Sequence, residues 1–316
     1  MVERAWSGMP SYPGLRRDKA PTFMVMKAPS KRPFFQILGV SDEAILEGLY
    51  RYRYLTSKAV CRLFFKPGCL IYAQTKLKRL ADLGYARRCF LPRATQHGSA
   101  PSVYCLSRKG LKHIAARGID VPSRYQPVHQ PSSSYLFLSH TLMVNDVLIT
   151  AELLDRTSDA VTLQIMHHEF DLKRTPFYVQ DDSGERLVVI PDGYFDLRIS
   201  GHYQACFALE ADRATEEQKK FRRKVGGLIG LTKGAYQERF GTSSLTVAVV
   251  TTDEHRLAQL RQWTEAELEK LGRDRGDLFR FAVLSEDLLL PEVMFFAPRW
   301  HRPFDSSAVT LLERPA

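Results

Sequence analysis

Apolar residues follow no sustained period over residues 1–40, where Pro10, Pro13, Pro21, Pro29 and Pro33 interrupt clustered Arg and Lys, and a flexible basic arm is expected there. From residue 41 the spacing turns helical. Ile45, Leu46 and Leu49 mark a first helix capped by Ser41 or Asp42, and Thr56 or Ser57 caps a second whose apolar face is Val60, Leu63 and Phe64. Lys66-Pro67-Gly68 breaks the chain. A third helix from about Leu70 to Leu83 buries Leu70, Ala73, Leu77 and Leu80; it turns Tyr72, Thr75, Lys78 and Arg79 outward, with Gln74 and Lys76 on its flanks. Gly84 stops it. Two short strands, RRCFL and SVYCLS, bracket a loop carrying Arg93 and His97, and Ser107-Arg108-Lys109-Gly110 opens a last short helix. This order over residues 41–118 predicts a winged helix-turn-helix.

Residues 119–134 are rich in Pro and Ser and read as a linker. The next stretch, Tyr135 to Arg156, is apolar on most of its circumference and predicts one long buried helix. Asn145 and Glu152 lie seven apart on one face of it. A backbone contact for Asn145 and a wet helix end for Glu152 account for both without chemistry. LQIMHHEFDL predicts a strand, on which His167 and His168 point to opposite faces and cannot chelate one zinc ion together.

Two β-rich segments follow, LVVI-PDG-YFDLRIS and YQACFALE, joined at Gly201-His202. Alternation puts Phe195, Leu197 and Ile199 on one face of the first, and Tyr203, Ala205, Phe207 and Leu209 on one face of the second. Thr215 with Gln218 forms a capping box for a helix to about Leu231, weakened by Gly226-Gly227. A buried strand SLTVAVVT, a helix from His255 to Leu271 and a strand LFRFAVLS complete residues 135–297, and residues 298–316 show no clear pattern. The expected fold is α/β (α+β): the winged helix, then an αβββαβ domain with the element order of the restriction-endonuclease-like, PD-(D/E)xK core.

A hairpin of this kind brings Asp192 near Glu210, and their oxygens suit a hard divalent cation such as Mg²⁺ or Mn²⁺. The same pattern also describes an ordinary amphipathic hairpin with solvated carboxylates at its ends. In the fold named above, the second and third strands carry an Asp and an (Asp/Glu)-x-Lys. Here Asp212 stands where that Lys would be.

Charge sharpens the picture. The chain of 316 residues carries a net +10, yet residues 41–118 hold fifteen Lys and Arg against four Asp and Glu. A basic N-terminal half on an acidic C-terminal half points to a polyanion partner. Tyr72, Gln74, Thr75, Lys76, Lys78 and Arg79 of the third helix are the candidate DNA contacts, with Arg93 of the wing and Arg108 and Lys109 of the last helix. Winged helices also dock proteins, which is the competing use of this surface. The five cysteines are scattered, with no CxxC pair, so neither a disulfide framework nor a zinc knuckle is indicated. No uncharged apolar run reaches membrane-spanning length, and a cytoplasmic protein without a membrane partner is expected.

YRYRYLTSKAVCRLFF with LKRLADLGYARR, SHTLMVNDVLIT, and PDGYFDL followed by FALEADRATEEQKKFRRK together resemble the replication-relaxation family of plasmid and integrative-element proteins, over roughly residues 40–235. The resemblance implies a winged helix before a PD-(D/E)xK-like domain, and a kinship with MobC-type relaxases that process a transfer origin. It implies that Asp192 and Glu210 are metal-binding carboxylates, and that Lys224 matches the family's helix lysine and stands in for the missing motif lysine. Asp212 would then recruit a cation, either a second metal or a lysine of the following helix. A Gly usual after the family's Asp-Arg is replaced here by Ala214. The implied function is replication or transfer initiation on double-stranded DNA with metal-dependent nicking; the alternative is a non-catalytic regulator whose nuclease-like domain is a docking or dimerisation platform. Other replication or conjugation proteins, and a second copy of the chain, are further possible partners.

Overall fold

The computed structural model describes residues 38–91, 102–122, 135–180, 184–199, 203–242 and 244–315. The expected basic arm, most of the linker, the wing loop with Arg93 and His97, and the turn at Gly201-His202 lie outside the described residues.

The chain begins with α1 (Val40–Tyr52), a two-residue β1 (Leu55–Thr56), α2 (Ser57–Phe64) and α3 (Leu70–Asp82). The strands β2 (Ala86–Phe90) and β3 (Ser102–Leu106) then pair antiparallel, and α4 (Arg108–Ala116) closes the group. β1 pairs with β3, making a small sheet β1-β3-β2. Two expected caps are present: the Thr56 hydroxyl accepts from Ala59 N at 3.1 Å and that of Ser107 from Gly110 N at 3.0 Å. The cap of α1 differs. It is Gly39, two residues before Ser41 and three before Asp42, and Asp42 turns back to accept Gly39 N at 3.1 Å.

The second half opens with α5 (Tyr135–Thr157), followed by β4 (Val161–His168), the single turn α6 (Glu169–Leu172), and a hairpin of β5 (Phe177–Gln180) and β6 (Arg186–Val189). Next come β7 (Gly193–Ile199), β8 (Gln204–Ala211), α7 (Gln218–Leu231), α8 (Ala235–Phe240), β9 (Thr246–Thr251) and α9 (Glu254–Leu271). The chain ends with β10 (Phe279–Val283), α10 (Pro291–Phe296), β11 (Trp300–His301) and β12 (Ala308–Val309). Seven strands form one mixed sheet in the order β12-β11-β10-β9-β8-β7-β4, parallel at β8–β9 and β9–β10 and antiparallel elsewhere. The fold is thus mixed α/β, as the periodicity predicts.

Three expectations change. LVVI does not continue into YFDLRIS: it pairs with β5, and the chain turns at Pro191-Asp192 before β7 begins. The tail joins the sheet, with Trp300 fully buried and His301 paired to Phe281. And α7 starts after Glu217, with no side-chain cap bond, instead of at a Thr215 box. Gly227 and Gly230 are placed by packing: a Cβ at either would come within 2.9 Å of Val189 or Val179 on the hairpin. Removing the side chain lets the helix lie directly on the two strands.

One helix is long and apolar enough to cross a membrane by length and composition, namely α5, and 61% of its most apolar window is buried inside the protein. It touches both halves of the chain, packing on α2 and β1 and on β4, β7 and β8. Three of its four buried polar residues, Asn145, Thr150 and Glu152, are engaged with the first half, while Thr141 bonds within the helix. Asn145 donates to the carbonyls of Tyr52 at 3.0 Å and Tyr54 at 2.7 Å. Glu152 is buried, not at a wet end, and accepts from Arg51, the Tyr52 hydroxyl and Arg156. Arg62 of α2 reaches Asp146 at 3.0 Å, Thr150 at 2.7 Å and the Leu289 carbonyl at 3.1 Å. Buried carbonyls that lose their donors are costly, so Asn145→Ala should destabilise the protein by about 1–3 kcal/mol. Urea denaturation reads this; an unchanged midpoint would mean that the Asn145 contacts do not hold α5 to the first half.

Candidate functional site

Strand pairing puts the two carboxylates side by side. Asp192 immediately precedes β7 and Glu210 is the penultimate residue of β8, with Gly193 paired opposite Leu209. Asp192 is held through both backbone groups: its N–H donates to the Leu209 carbonyl and its carbonyl accepts Glu169 N, each at 2.9 Å. One side-chain oxygen, Oδ2, accepts from Ala211 N at 2.8 Å and from His140 Nε2 of α5 at 3.2 Å. Both carboxylates are buried. Lys224, two turns into α7, folds back across β8 and sets its ammonium 2.8 Å from Glu210 Oε2 and 3.4 Å from Glu216 Oε2.

Charge in this cluster is unevenly shared. Burial alone would raise the Asp192 pKa, but the His140 hydrogen bond, the Lys224 charge and the Ala211 N–H overcome it and hold Asp192 below the usual carboxylate range. Glu210 goes the other way: burial, helped by the nearby Asp192 charge, pushes it up to about 8 despite Lys224. Burial opposes the Lys224 charge, yet Glu210, Asp192 and Glu216 together raise its pKa and keep it an ammonium. His140 is likewise raised, its burial outweighed by Asp192.

Asp212 plays a different part from the one the resemblance implies. It does recruit a cation, but that cation is Arg256 of α9, whose Nε and Nη2 donate to its two oxygens at 2.7 and 3.0 Å. Its Oδ1 also accepts Ala214 N at 2.8 Å. No lysine of α7 and no metal is needed to balance it. Ala214 has φ 59°, the left-handed region that favours glycine. The family glycine it replaces therefore has a physical reason.

The third helix divides the expected DNA contacts in two. Tyr72, Gln74, Thr75 and Lys78 are exposed. Lys76 and Arg79 instead converge on the fully buried Asp42, at 3.1 and 2.6 Å, and serve the packing of α3 on α1. Arg108 is exposed at the start of α4, while Lys109 donates to the Leu83 carbonyl at 2.8 Å and lies over the Tyr85 ring. Arg87 and Arg88 of β2 are exposed beside this surface and were not among the expected contacts, although the adjacent pair in a short strand was the available signal. His140 and Glu216 were missed too, because a single polar residue in an apolar helix and an acid in a charged run carry no local signature.

The donor set can be tested against Mg²⁺ or Mn²⁺ on its own chemistry. Among the described residues no three His, Cys, Asp or Glu side chains converge so as to hold an ion by themselves. Two carboxylates suffice for a hard cation that keeps much of its shell as water and phosphate oxygen. The residues fit such an ion.

A family model described as replication-relaxation matches residues 46–246, which is more than half of the chain. The chain belongs to the replication-relaxation family. No curated protein and no solved structure matches it. Membership associates it with replication and mobile-element processes. The segment shared with the replication-relaxation family holds α3, α5, both carboxylates and Lys224, but ends before Arg256, so the partner of Asp212 lies beyond it.

Two outcomes are expected. Ala214→Gly should raise stability by up to about 1 kcal/mol by relieving a left-handed conformation; a lower thermal midpoint would remove the strain argument. Over the pH range from about 4.5 to about 8 the folded chain keeps a proton on Glu210 that the unfolded chain has released. The stability of the wild type relative to Glu210→Gln should therefore be greatest at the acid end and fall as pH rises. Parallel denaturation curves at the two ends check this, and a pH-independent difference would contradict it.

Proposed function

We propose that the protein is a DNA-binding protein of a plasmid or other mobile element, acting in the cytoplasm in replication or transfer initiation, and that its sheet domain nicks DNA with Mg²⁺ or Mn²⁺. Helices α1–α4 with β2 and β3 act in this reading as a winged helix-turn-helix. The exposed face of α3, with Tyr72, Gln74, Thr75 and Lys78, enters the major groove of double-stranded DNA. Arg87, Arg88 and Arg108 hold phosphates. The large sheet with α5 and α7 acts as the PD-(D/E)xK-like domain.

The observation that carries the reading is the convergence of Asp192, Glu210 and Lys224, with the Lys224 ammonium 2.8 Å from Glu210. Two carboxylates and an ammonium are the groups that metal-assisted phosphodiester cleavage needs. When bound, the cation supplies positive charge against the scissile phosphate. The other roles fall to side chains of the protein. Ala211 N and His140 fix the Asp192 carboxylate. Lys224, on leaving Glu210, pairs with a phosphate oxygen and offsets charge that develops in the transition state.

One observation favours a second reading, that of a non-catalytic regulator. Lys224 and His140 already compensate both carboxylates, as they would in a closed structural cluster. The sheet would then be a docking or dimerisation platform.

The readings part on metal and on one lysine. Calorimetry should detect Mn²⁺ binding by the wild type and its loss in Asp192→Asn. With supercoiled DNA of the protein's own element, Lys224→Ala should slow nicking by more than about tenfold while Mn²⁺ binding persists. Wild-type protein that neither binds Mn²⁺ nor nicks would establish the regulator.

A further inference from the structure

The helix that delivers Lys224 has a second basic face. Lys219, Arg222, Arg223, Gly226 and Gly230 recur at spacings of three and four, with one adjacent pair, and so line one side of α7. Lys219 is turned about 140° from Lys224 around the helix axis. This side of α7 faces a groove with a volume of about 670 Å³, walled by β6 and by α9. Arg222 bridges to Glu267 on one wall at 2.9 Å, and Arg223 to Glu185 on the other at 2.6 Å. The two acids among the described lining residues are thereby taken up, and the lysines at 219 and 270 leave the groove with net positive charge. That is not a consequence of local composition, since residues 119–316 carry a net charge of −6.

Gly226 is an independent observation. Its two neighbours in kind, Gly227 and Gly230, are required by the hairpin packed against them, but a Cβ at Gly226 would meet nothing within 4 Å. Glycine inside a helix is destabilising relative to alanine, and here no packing contact offsets that. What the missing side chain does is leave the floor of the groove bare, so that a ligand can approach the helix backbone.

We propose that this groove holds the sugar–phosphate backbone of a single DNA strand. The row from Lys219 to Gly230 extends about 17 Å along the helix, a length that suits an extended polyanion better than one phosphate. The volume is that of a small-ligand cleft and too small for a duplex to enter. Among the described residues no aromatic ring lines it, so the contact runs through the backbone and is independent of sequence. The identity of the strand rests on the DNA-processing reading given above: one face of α7 serves the carboxylates, and the other guides a strand.

Fluorescence anisotropy with a labelled oligothymidylate and a duplex of equal length, using the full chain, tests this. Lys219→Glu/Lys270→Glu and, separately, Gly226→Glu should weaken oligothymidylate binding by about tenfold or more at low salt and flatten its salt dependence. Gly226→Glu has open space around it and should keep its circular dichroism and thermal midpoint. Duplex binding should change less than about twofold in these variants, and should be the quantity that Lys78→Ala reduces. Wild-type affinity for oligothymidylate in both charge-reversed variants overturns the proposal. So does its displacement by inorganic phosphate or a nucleotide at matched phosphate concentration, which would make the groove a small-anion site. A wild type that fails to bind duplex sinks the winged-helix reading alone, and the oligothymidylate arm still decides this one.

Discussion

Three buried or largely buried carboxylates gather around the ammonium group of Lys224, and much of the second half of the chain is arranged to make that possible. Asp192, Glu210 and Glu216 would repel one another at this proximity, in surroundings that favour no charge at all. Lys224 reaches them because α7 lies back across β8, and α7 lies there because Gly227 and Gly230 let it settle on the β5–β6 hairpin. Asp212 is kept out of the cluster by Arg256, which removes a fourth negative charge. The cluster is compensated without being saturated, since Glu210 still sits near a protonation threshold.

The same economy governs the junction of the two halves. α5 is apolar enough to be mistaken for a membrane segment, yet its polar residues are its points of attachment. Asn145 caps backbone carbonyls of the first half, and Glu152 and Asp146 take arginines from α1 and α2. Burial pushes the Asp146 carboxyl up to about 6 in spite of Arg62. His140, one to two turns before Asn145 and Asp146, belongs to the carboxylate site instead. One helix thus contacts both the DNA-reading candidates' domain and the candidate metal centre, through side chains that differ in position by only a few residues.

Legibility followed the range of the interactions involved. Periods of two and of 3.6 residues, and the capping residues Thr56 and Ser107, are local properties, and they locate most helices and strands to within a residue or two. The alternation of Phe195, Leu197 and Ile199 was enough to place the hairpin, and with it the proximity of Asp192 to Glu210. β5, β11 and β12 were not legible because strands of two to four residues are too short to display a period. The split between LVVI and YFDLRIS was hidden for a related reason: both pieces alternate correctly, and only their partners differ.

What the sequence by itself determined is the class of fold, the order of its longer elements, the family, and the residue types at the carboxylate site. What the tertiary structure alone decided is which charges meet. Lys76 and Arg79 read as outward-facing or flanking residues of α3 until a buried Asp42 on another helix claims them. Asp212 reads as a third site carboxylate until Arg256, forty-four residues away, takes both its oxygens. His140 reads as an interruption of an apolar helix until β7 presents Asp192 to it. In each case the side chain's role depends on desolvation and on a partner distant in sequence, and neither has any trace in local spacing.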